Sequence, residues 1–153
     1  IRKILESGED PLENKELLLD LFVKDREDHL NNEIKPFLEG GKDKIIICDR
    51  YYHSTIAFQE AQGIPMDDLI EKNIGFLSPD LTLILDLDPA VSLERIKDQK
   101  KEKFEQKEFL EKVRANFLKL KDVLDEEIEF IDASKGKEEV LAEVVKKIEA
   151  ILD

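Results

Sequence analysis

Residues 44–59 read KIIICDRYYHSTIAFQ, and this stretch carries the clearest pattern for predicting the fold. Its first five residues form a continuous, mostly β-branched run bounded by glycine and polar residues, which predicts a strand buried on both faces. Such strands are typical of parallel sheets that helices cover on both sides. In this interpretation Cys48 is an inert thiol in the core, and Asp49 and Arg50 lie at the carboxyl end of the strand.

The rest of the chain alternates helical and strand patterns. Amphipathic spacing predicts a long helix from Asn14 to Leu38 that ends at Gly40 and Gly41. Strands are predicted at 81–85 and 128–131, and further helices at 54–62, 67–77, 89–97, 109–124 and 140–152. This order predicts an α/β domain over residues 1–153, with a three-layer α/β/α arrangement around a parallel sheet.

Composition narrows the classes of function. The chain has 153 residues, 41% of them hydrophobic, which suits one domain with a sizeable core. Its 37 acidic and 24 basic residues give a net charge of -13, which disfavours nucleic-acid and anionic-membrane partners. With a single cysteine and no long apolar run, we expect a cytoplasmic protein.

Asp49 and Arg50 are the first candidate site residues, because ligands of open parallel sheets bind outside the carboxyl ends of the strands. The carboxylate suits a metal or phosphoryl-transfer site, and the guanidinium can grip a phosphate in two places. An alternative is that Asp49 caps the next helix while Arg50 is an ordinary surface residue.

Phe22 and Arg26 are four residues apart, hence on one face of the predicted long helix. An aromatic ring beside a guanidinium is a platform for a flat base, since the ring stacks and the guanidinium donates hydrogen bonds. Alternatively, Phe22 belongs to the core and Arg26 pairs with a nearby Asp or Glu.

The stretch at 98–107, DQKKEKFEQK, is a solvated helix face or a mobile lid whose lysines close over phosphates. His29 and His53 lack the spacing of a metal pair, so a zinc site is not expected. A phosphate-binding G-x-x-x-x-G-K-[ST] loop is absent from the sequence.

Taken together, these segments resemble the thymidylate kinases, nucleoside monophosphate kinases of the P-loop NTPase class. The most specific match is DRYYHSTIAFQ at 49–59, which is similar to the family pattern D-R-[YH]-x-x-S-[ST]-x-A-[YF]-Q. Four further segments follow the family's order: LFVKDREDH at 21–29, SPDLTLILDLDP at 78–89, FEQKEFLEKVRANFLKL at 104–120 and IDAS at 131–134. The resemblance covers essentially the whole chain.

The resemblance implies ATP-dependent phosphorylation of dTMP to dTDP in dTTP biosynthesis. Phe22 would stack on the thymine, Arg26 would hydrogen-bond its edge, and Phe58 would pack below the sugar. The implied dTMP-binding set is Phe22, Arg26, Arg50, Ser54, Thr55, Phe58 and Gln59.

The resemblance also implies how phosphates and metal are handled. Arg50 would hold the acceptor phosphate, and Asp49 would lie near Mg²⁺, directly or through water. Arg95, Lys100 and Lys103 would serve ATP and the lid at about 97–107. The implied catalytic residues are Asp49, Arg50 and Lys103, and the cofactors are Mg²⁺ and ATP as phosphoryl donor.

The family's first strands and phosphate-binding loop have no counterpart in the sequence. We therefore expect this chain to be part of a longer protein and to be inactive alone. The resemblance further implies a homodimer formed through helices that include residues 14–38. Two other functions stay open: a deoxynucleoside kinase, and a non-catalytic nucleotide-binding protein without the phosphate-binding loop.

Overall fold

The computed structural model describes residues 14–41, 43–95 and 107–152. The chain divides into two compact units, Ile1–Leu77 and Ser78–Asp153, and the prediction of one domain over residues 1–153 stays a prediction. Helices accompany a parallel sheet along the chain, which confirms the α/β class. Within the described ranges, no helix is both long and apolar enough to cross a membrane.

The first unit begins with the predicted long helix. It consists of α1 (Lys15–His29), one π-helical turn (Leu30–Ile34) and α2 (Lys35–Glu39). The π-helical turn was not predicted, and it ends at Ile34, two residues before Pro36 in the first turn of α2. Because proline has no N–H to donate to the carbonyl four residues earlier, the regular hydrogen-bond ladder cannot run unbroken past this point.

Two shorter helices follow, α3 (Tyr52–Ala61) and α4 (Met66–Asn73). Between them, Gly63 adopts a left-handed conformation with φ 89° and donates to the carbonyl of Glu60 over 2.8 Å, which ends α3. The structure confirms both predicted helices, but α4 ends at Asn73 rather than 77. The reason is that Ile74 is extended, with ψ 133°.

The core of the first unit joins these helices. Leu18 of α1, Leu30 of the π-helical turn, Ile56 of α3 and Leu69 of α4 are all completely buried. Helix α3 packs against both α1 and α4. Side chains of α1 and α4 can therefore meet beside α3, where the candidate site lies.

The predicted strand at 44–48 is wrong for the described residues. This segment is irregular and forms no ladder, the Ile47 side chain is 81% exposed, and Cys48 is exposed rather than an inert core thiol. A strand exists only when a neighbouring strand accepts and donates its backbone hydrogen bonds. Residues 44–48 have no such neighbour among the described residues.

The second unit contains two parallel strands, β1 (Thr82–Asp86) and β2 (Ile128–Asp132), in register from Thr82 opposite Ile128 to Asp86 opposite Asp132. Three helices accompany them: α5 (Pro89–Arg95), α6 (Lys107–Val123) and α7 (Lys137–Leu152). Pro89 opens α5 as predicted. The carboxyl ends of β1 and β2 thus lie side by side.

Burial in the second unit is uneven. Ile128 and Ile131 of β2 are completely buried, as is Leu120 of α6. Leu85 of β1 is 56% exposed, so this strand is not buried on both faces. Successive side chains of a strand point to opposite faces, and the described residues leave the face that carries Leu85 open.

Helix α7 begins at Lys137, three residues before the predicted start. The Glu139 carboxylate accepts a hydrogen bond from the Gly136 N–H over 3.2 Å. A side chain at this position of the first turn that reaches back to the backbone stabilises the start of a helix.

Candidate functional site

The candidate site of the first unit is built around Arg26 of α1. Its Nη1 donates to Oδ1 of Asn73 over 2.6 Å, and its Nη2 donates to Oγ1 of Thr55 over 2.7 Å. These partners belong to α4 and α3. The guanidinium therefore lies where three helices meet, and both partners are neutral.

Two aromatic rings also contact the Arg26 guanidinium. Its Cζ lies 5.4 Å from the centroid of the Tyr51 ring and 5.5 Å from that of Phe76. The Tyr51 hydroxyl donates to the carbonyl of Leu77 over 3.1 Å, which fixes that ring. A cation near the face of an aromatic ring is attracted by the ring quadrupole.

Burial lowers the pKa of Arg26, while Tyr51 and Asp25 act in the opposite direction. An arginine nevertheless stays charged at neutral pH. Among the described residues, no carboxylate lies within ion-pair distance of the guanidinium. The part of the chain that the structure describes thus gives Arg26 no Asp or Glu partner, and its neutral partners leave the charge uncompensated.

A second group surrounds Arg50, which precedes α3. Its Nε donates to Oγ of Ser54 over 3.4 Å, and its Cζ lies 4.9 Å from the ring centroid of Phe58. The structure thus brings together three of the residues that the family resemblance places in the acceptor site. The Arg50 side chain is exposed, so its remaining N–H groups can reach a phosphate.

The backbone of Arg50 is left-handed, with φ 70°. Such a conformation costs a non-glycine residue roughly 1–2 kcal/mol. Asp49, directly before it, is exposed. Residue Tyr51 is the N-cap of α3, with no side-chain capping bond, so the alternative in which Asp49 caps this helix is wrong.

Phe22 and Gln59 have different surroundings. Phe22 is half-buried on α1, one turn before Arg26. Gln59 is buried in α3, and its Oε1 has no hydrogen-bond partner within the described part of the chain. A buried oxygen without a partner leaves room for a further donor.

In the second unit, Arg95 is the donor-site candidate that the structure describes. Its Nη1 donates to the carbonyl of Ala133 over 3.0 Å and its Nη2 to that of Ser134 over 3.4 Å. Both carbonyls directly follow β2. Lys100 and Lys103, with nearly all of the predicted lid, lie outside the described residues.

Sequence reasoning missed the ion pair between Arg114 and Asp86 in the second unit. Nε and Nη2 of Arg114 donate to Oδ1 and Oδ2 of Asp86 over 2.6 and 2.8 Å. Arg114 holds the pKa of Asp86 below its ordinary value. The rule that polar residues after a strand mark a site applies to Asp86 as it does to Asp49, and would have singled it out.

Asn73, Tyr51 and Phe76 were also missed. Asn73 is the last residue of a helix and Phe76 follows a glycine, so neither carries a spacing signal. Among the described residues, no three His, Cys, Asp or Glu side chains gather as metal ligands would.

Comparisons with known proteins agree on one family. A family model described as thymidylate kinase matches residues 1–144. The thymidylate kinase of Leptospira borgpetersenii is 41% identical over 150 residues, which cover 95% of this chain and 70% of that protein. The probable thymidylate kinase of Archaeoglobus fulgidus is 41% identical over 153 residues, which cover 99% of this chain and 75% of the relative. That of Methanococcoides burtonii is 34% identical over 163 residues, covering 100% and 77%.

Proposed function

The chain belongs to the thymidylate kinase family, and we propose from this membership that it forms the dTMP-binding part of a dTMP kinase. In the proposed reaction, an oxygen of the dTMP phosphate attacks the γ-phosphorus of ATP, and the bond from that phosphorus to the β-phosphate oxygen breaks. The products are dTDP and ADP. The family is of the P-loop NTPase type, in agreement with the α/β fold.

The observation that carries this proposal is the environment of Arg26. A half-buried cation whose two hydrogen-bond partners are neutral favours a ligand that supplies an acceptor oxygen. Thymine supplies such an oxygen at its edge. Phe22, one turn earlier on α1, is proposed to stack on the base.

The proposed phosphate grip is Arg50. The contacts with Ser54 and Phe58 orient a side chain that is otherwise exposed. A guanidinium offers parallel N–H groups that match two phosphate oxygens. Phe58 and Thr55 would then border the sugar and base, while Gln59 would support α3 from its buried side.

Mg²⁺ is proposed to bind near Asp49. The donor set fits the ion, because Mg²⁺ in phosphate-transfer sites is held by one or two carboxylates together with water and substrate phosphates. An exposed carboxylate beside the phosphate-binding Arg50 meets that requirement. When bound, Mg²⁺ would neutralise charge on the phosphoryl oxygens.

The proposed donor side uses Arg95, Lys100 and Lys103. Arg95 contacts the backbone that follows β2. Lys100 and Lys103 are proposed to bring positive charge to the phosphates, and Lys103 is proposed to support transfer as well. Such a reaction needs little covalent chemistry from the protein. Positioning and charge stabilisation lower its barrier.

A deoxynucleoside kinase is the less favoured function, because the relatives reported above are thymidylate kinases. An exposed arginine held beside the acceptor site also suits a monophosphate better than an uncharged nucleoside. The assay below also tests the third function, because a non-catalytic nucleotide-binding protein would show no turnover.

The test is phosphotransfer from ATP to dTMP by the full-length gene product and its Arg50→Ala variant. We expect kcat/KM to fall about 10- to 100-fold, because a hydrogen bond to a charged group contributes ~1.5–3 kcal/mol. Lys72→Ala, which removes an exposed ion pair with Asp20, is the control and should keep full activity. Undiminished turnover in Arg50→Ala would remove the assignment, and no turnover by the unaltered protein would leave only nucleotide binding.

We also propose a homodimer in the cytoplasm. The helical run from α1 to α2 exposes two large apolar side chains, Leu17 and Phe37, and burying them against a partner would be favourable. Light scattering after gel filtration should give twice the monomer mass, and Leu17→Glu with Phe37→Glu should halve it. A monomer in the unaltered protein would contradict the proposal.

A further inference from the structure

Asn73 has no role in the reaction proposed above. It is the last residue of α4, and its side chain is buried. Its Nδ2 donates to the carbonyl of Leu69 over 2.7 Å, and its Oδ1 accepts from Nη1 of Arg26 over 2.6 Å. Both ends of the amide are therefore engaged.

The hydrogen bonds fix the orientation of this amide. A backbone carbonyl can only accept, so the nitrogen of the amide must face Leu69 and its oxygen must face Arg26. Because Thr55 receives Nη2 over 2.7 Å, two acceptors on two different elements hold two nitrogens of one planar group. This arrangement sets the plane of the Arg26 guanidinium before any ligand binds.

The charge of the groups that hold Arg26 matters as much as their positions. A carboxylate at position 73 would pair with the guanidinium and offset its charge, whereas an amide holds it and leaves the charge in place. An arginine has five N–H donors, and the bonds to Asn73 and Thr55 use two of them. The others remain for the ligand.

We propose that Asn73 is a positioning residue that determines base specificity: its buried amide orients Arg26 so that the free N–H groups meet a carbonyl oxygen of the pyrimidine. The inference rests on the proposed function, since the pyrimidine is that of dTMP. It goes beyond that function because Asn73 acts through Arg26 and need not touch the substrate.

A purely structural role must be separated from this one. Asn73 links α4 to α1, and so does the adjacent Lys72, whose Nζ lies 2.7 Å from Oδ1 of Asp20. Lys72→Ala removes a tie between the same two helices without touching the guanidinium. It is therefore the matched control for Asn73→Ala.

The experiment measures dissociation constants of dTMP and of 5-methyl-dCMP by calorimetry, using the full-length gene product. The two nucleotides differ at position 4 of the ring, where a carbonyl oxygen that accepts is replaced by an amino group that donates, and at N3, which donates in thymine and accepts in 5-methylcytosine. We expect Asn73→Ala to reduce the preference for dTMP about 10-fold, or about 1.4 kcal/mol. Asn73→Ala should weaken the binding of dTMP rather than that of 5-methyl-dCMP. Lys72→Ala should keep the original preference for dTMP.

The outcomes separate the two claims. If the unaltered protein prefers dTMP and Asn73→Ala keeps that preference, or weakens both nucleotides equally, the positioning role is wrong while the proposed function stands. An unaltered protein that binds neither nucleotide overturns the proposed function and this inference with it.

A measurement on the unaltered protein covers the case in which Asn73→Ala does not fold. In nitrogen-15 NMR of the ligand-free protein, a guanidinium held at two nitrogens rotates slowly and gives separate Nη1 and Nη2 signals. We expect such signals for Arg26, assigned by their loss in Arg26→Lys. A single averaged Nη signal would overturn the proposal.

Discussion

Replacing Arg114 by alanine tests the energetics of the second unit. The change removes two charge-assisted hydrogen bonds to Asp86, of 2.6 and 2.8 Å. A buried bond of this kind contributes ~1.5–3 kcal/mol, and an exposed ion pair only ~0.2–1 kcal/mol. The Arg114 and Asp86 side chains are 39% and 26% exposed, so the pair is neither fully buried nor fully exposed. We therefore expect a loss of about 1–2 kcal/mol in the free energy of unfolding.

The stability lost in Arg114→Ala should become smaller as the pH falls. Arg114 lowers the pKa of Asp86 in the folded state. A carboxyl with a lowered pKa adds stability above its unfolded pKa of about 3.9, and this stability disappears as the pH falls through the folded pKa. The difference between Arg114→Ala and the unaltered protein should therefore be full at neutral pH and shrink below about pH 4.

Urea unfolding followed by circular dichroism, repeated between about pH 7 and about pH 3, measures this difference. Lys119→Ala, an exposed change on the same helix, is the control and should stay within about 0.5 kcal/mol. A difference for Arg114→Ala that is equally large throughout this range would refute the reasoning, as would one no larger than the control.

Three further predictions concern the first unit. Cys48 should react with a thiol reagent in the folded protein nearly as fast as in urea, because it is exposed; strong protection would contradict the exposed segment. Leu69→Ala should lower the free energy of unfolding by about 2–5 kcal/mol in urea titrations, since Leu69 is completely buried, and a loss as small as that of exposed Leu17→Ala would count against this core. Gly63→Ala, at φ 89°, should cost roughly 1–2 kcal/mol, and a neutral effect in the same titrations would exclude the left-handed turn.

Helices were predictable wherever local signals mark their ends. Gly40 and Gly41 end the first helical run, Gly63 separates α3 from α4, and Pro89 opens α5. These residues act through their own backbone preferences, so the sequence alone reveals them. The parallel pair β1 and β2 was also predictable, because both segments are short apolar runs that alternate with helices.

The segment at 44–48 shows the limit of that reasoning. Three consecutive isoleucines favour a strand, but a strand also needs a partner, and pairing is a property of the whole sheet. The apolar pattern could predict what these residues prefer and could not predict what lies beside them. Ile47 and Cys48 are exposed for that reason.

The candidate site was predictable in part. Arg26 stood out because it follows Phe22 at helical spacing, and Arg50 because it follows a predicted strand. Asn73 could not be found this way, because its contact with Arg26 joins residues 47 positions apart. Such contacts arise from helix packing, for which a single sequence carries no direct signal.

The central claim is that this chain provides the acceptor site for dTMP. The most direct test compares dTMP with thymidine as acceptors of the γ-phosphoryl group of ATP, using the full-length gene product. We predict turnover of dTMP and none of thymidine, because Arg50 is proposed to hold a phosphate that thymidine lacks. Phosphorylation of thymidine as efficient as that of dTMP would contradict the account.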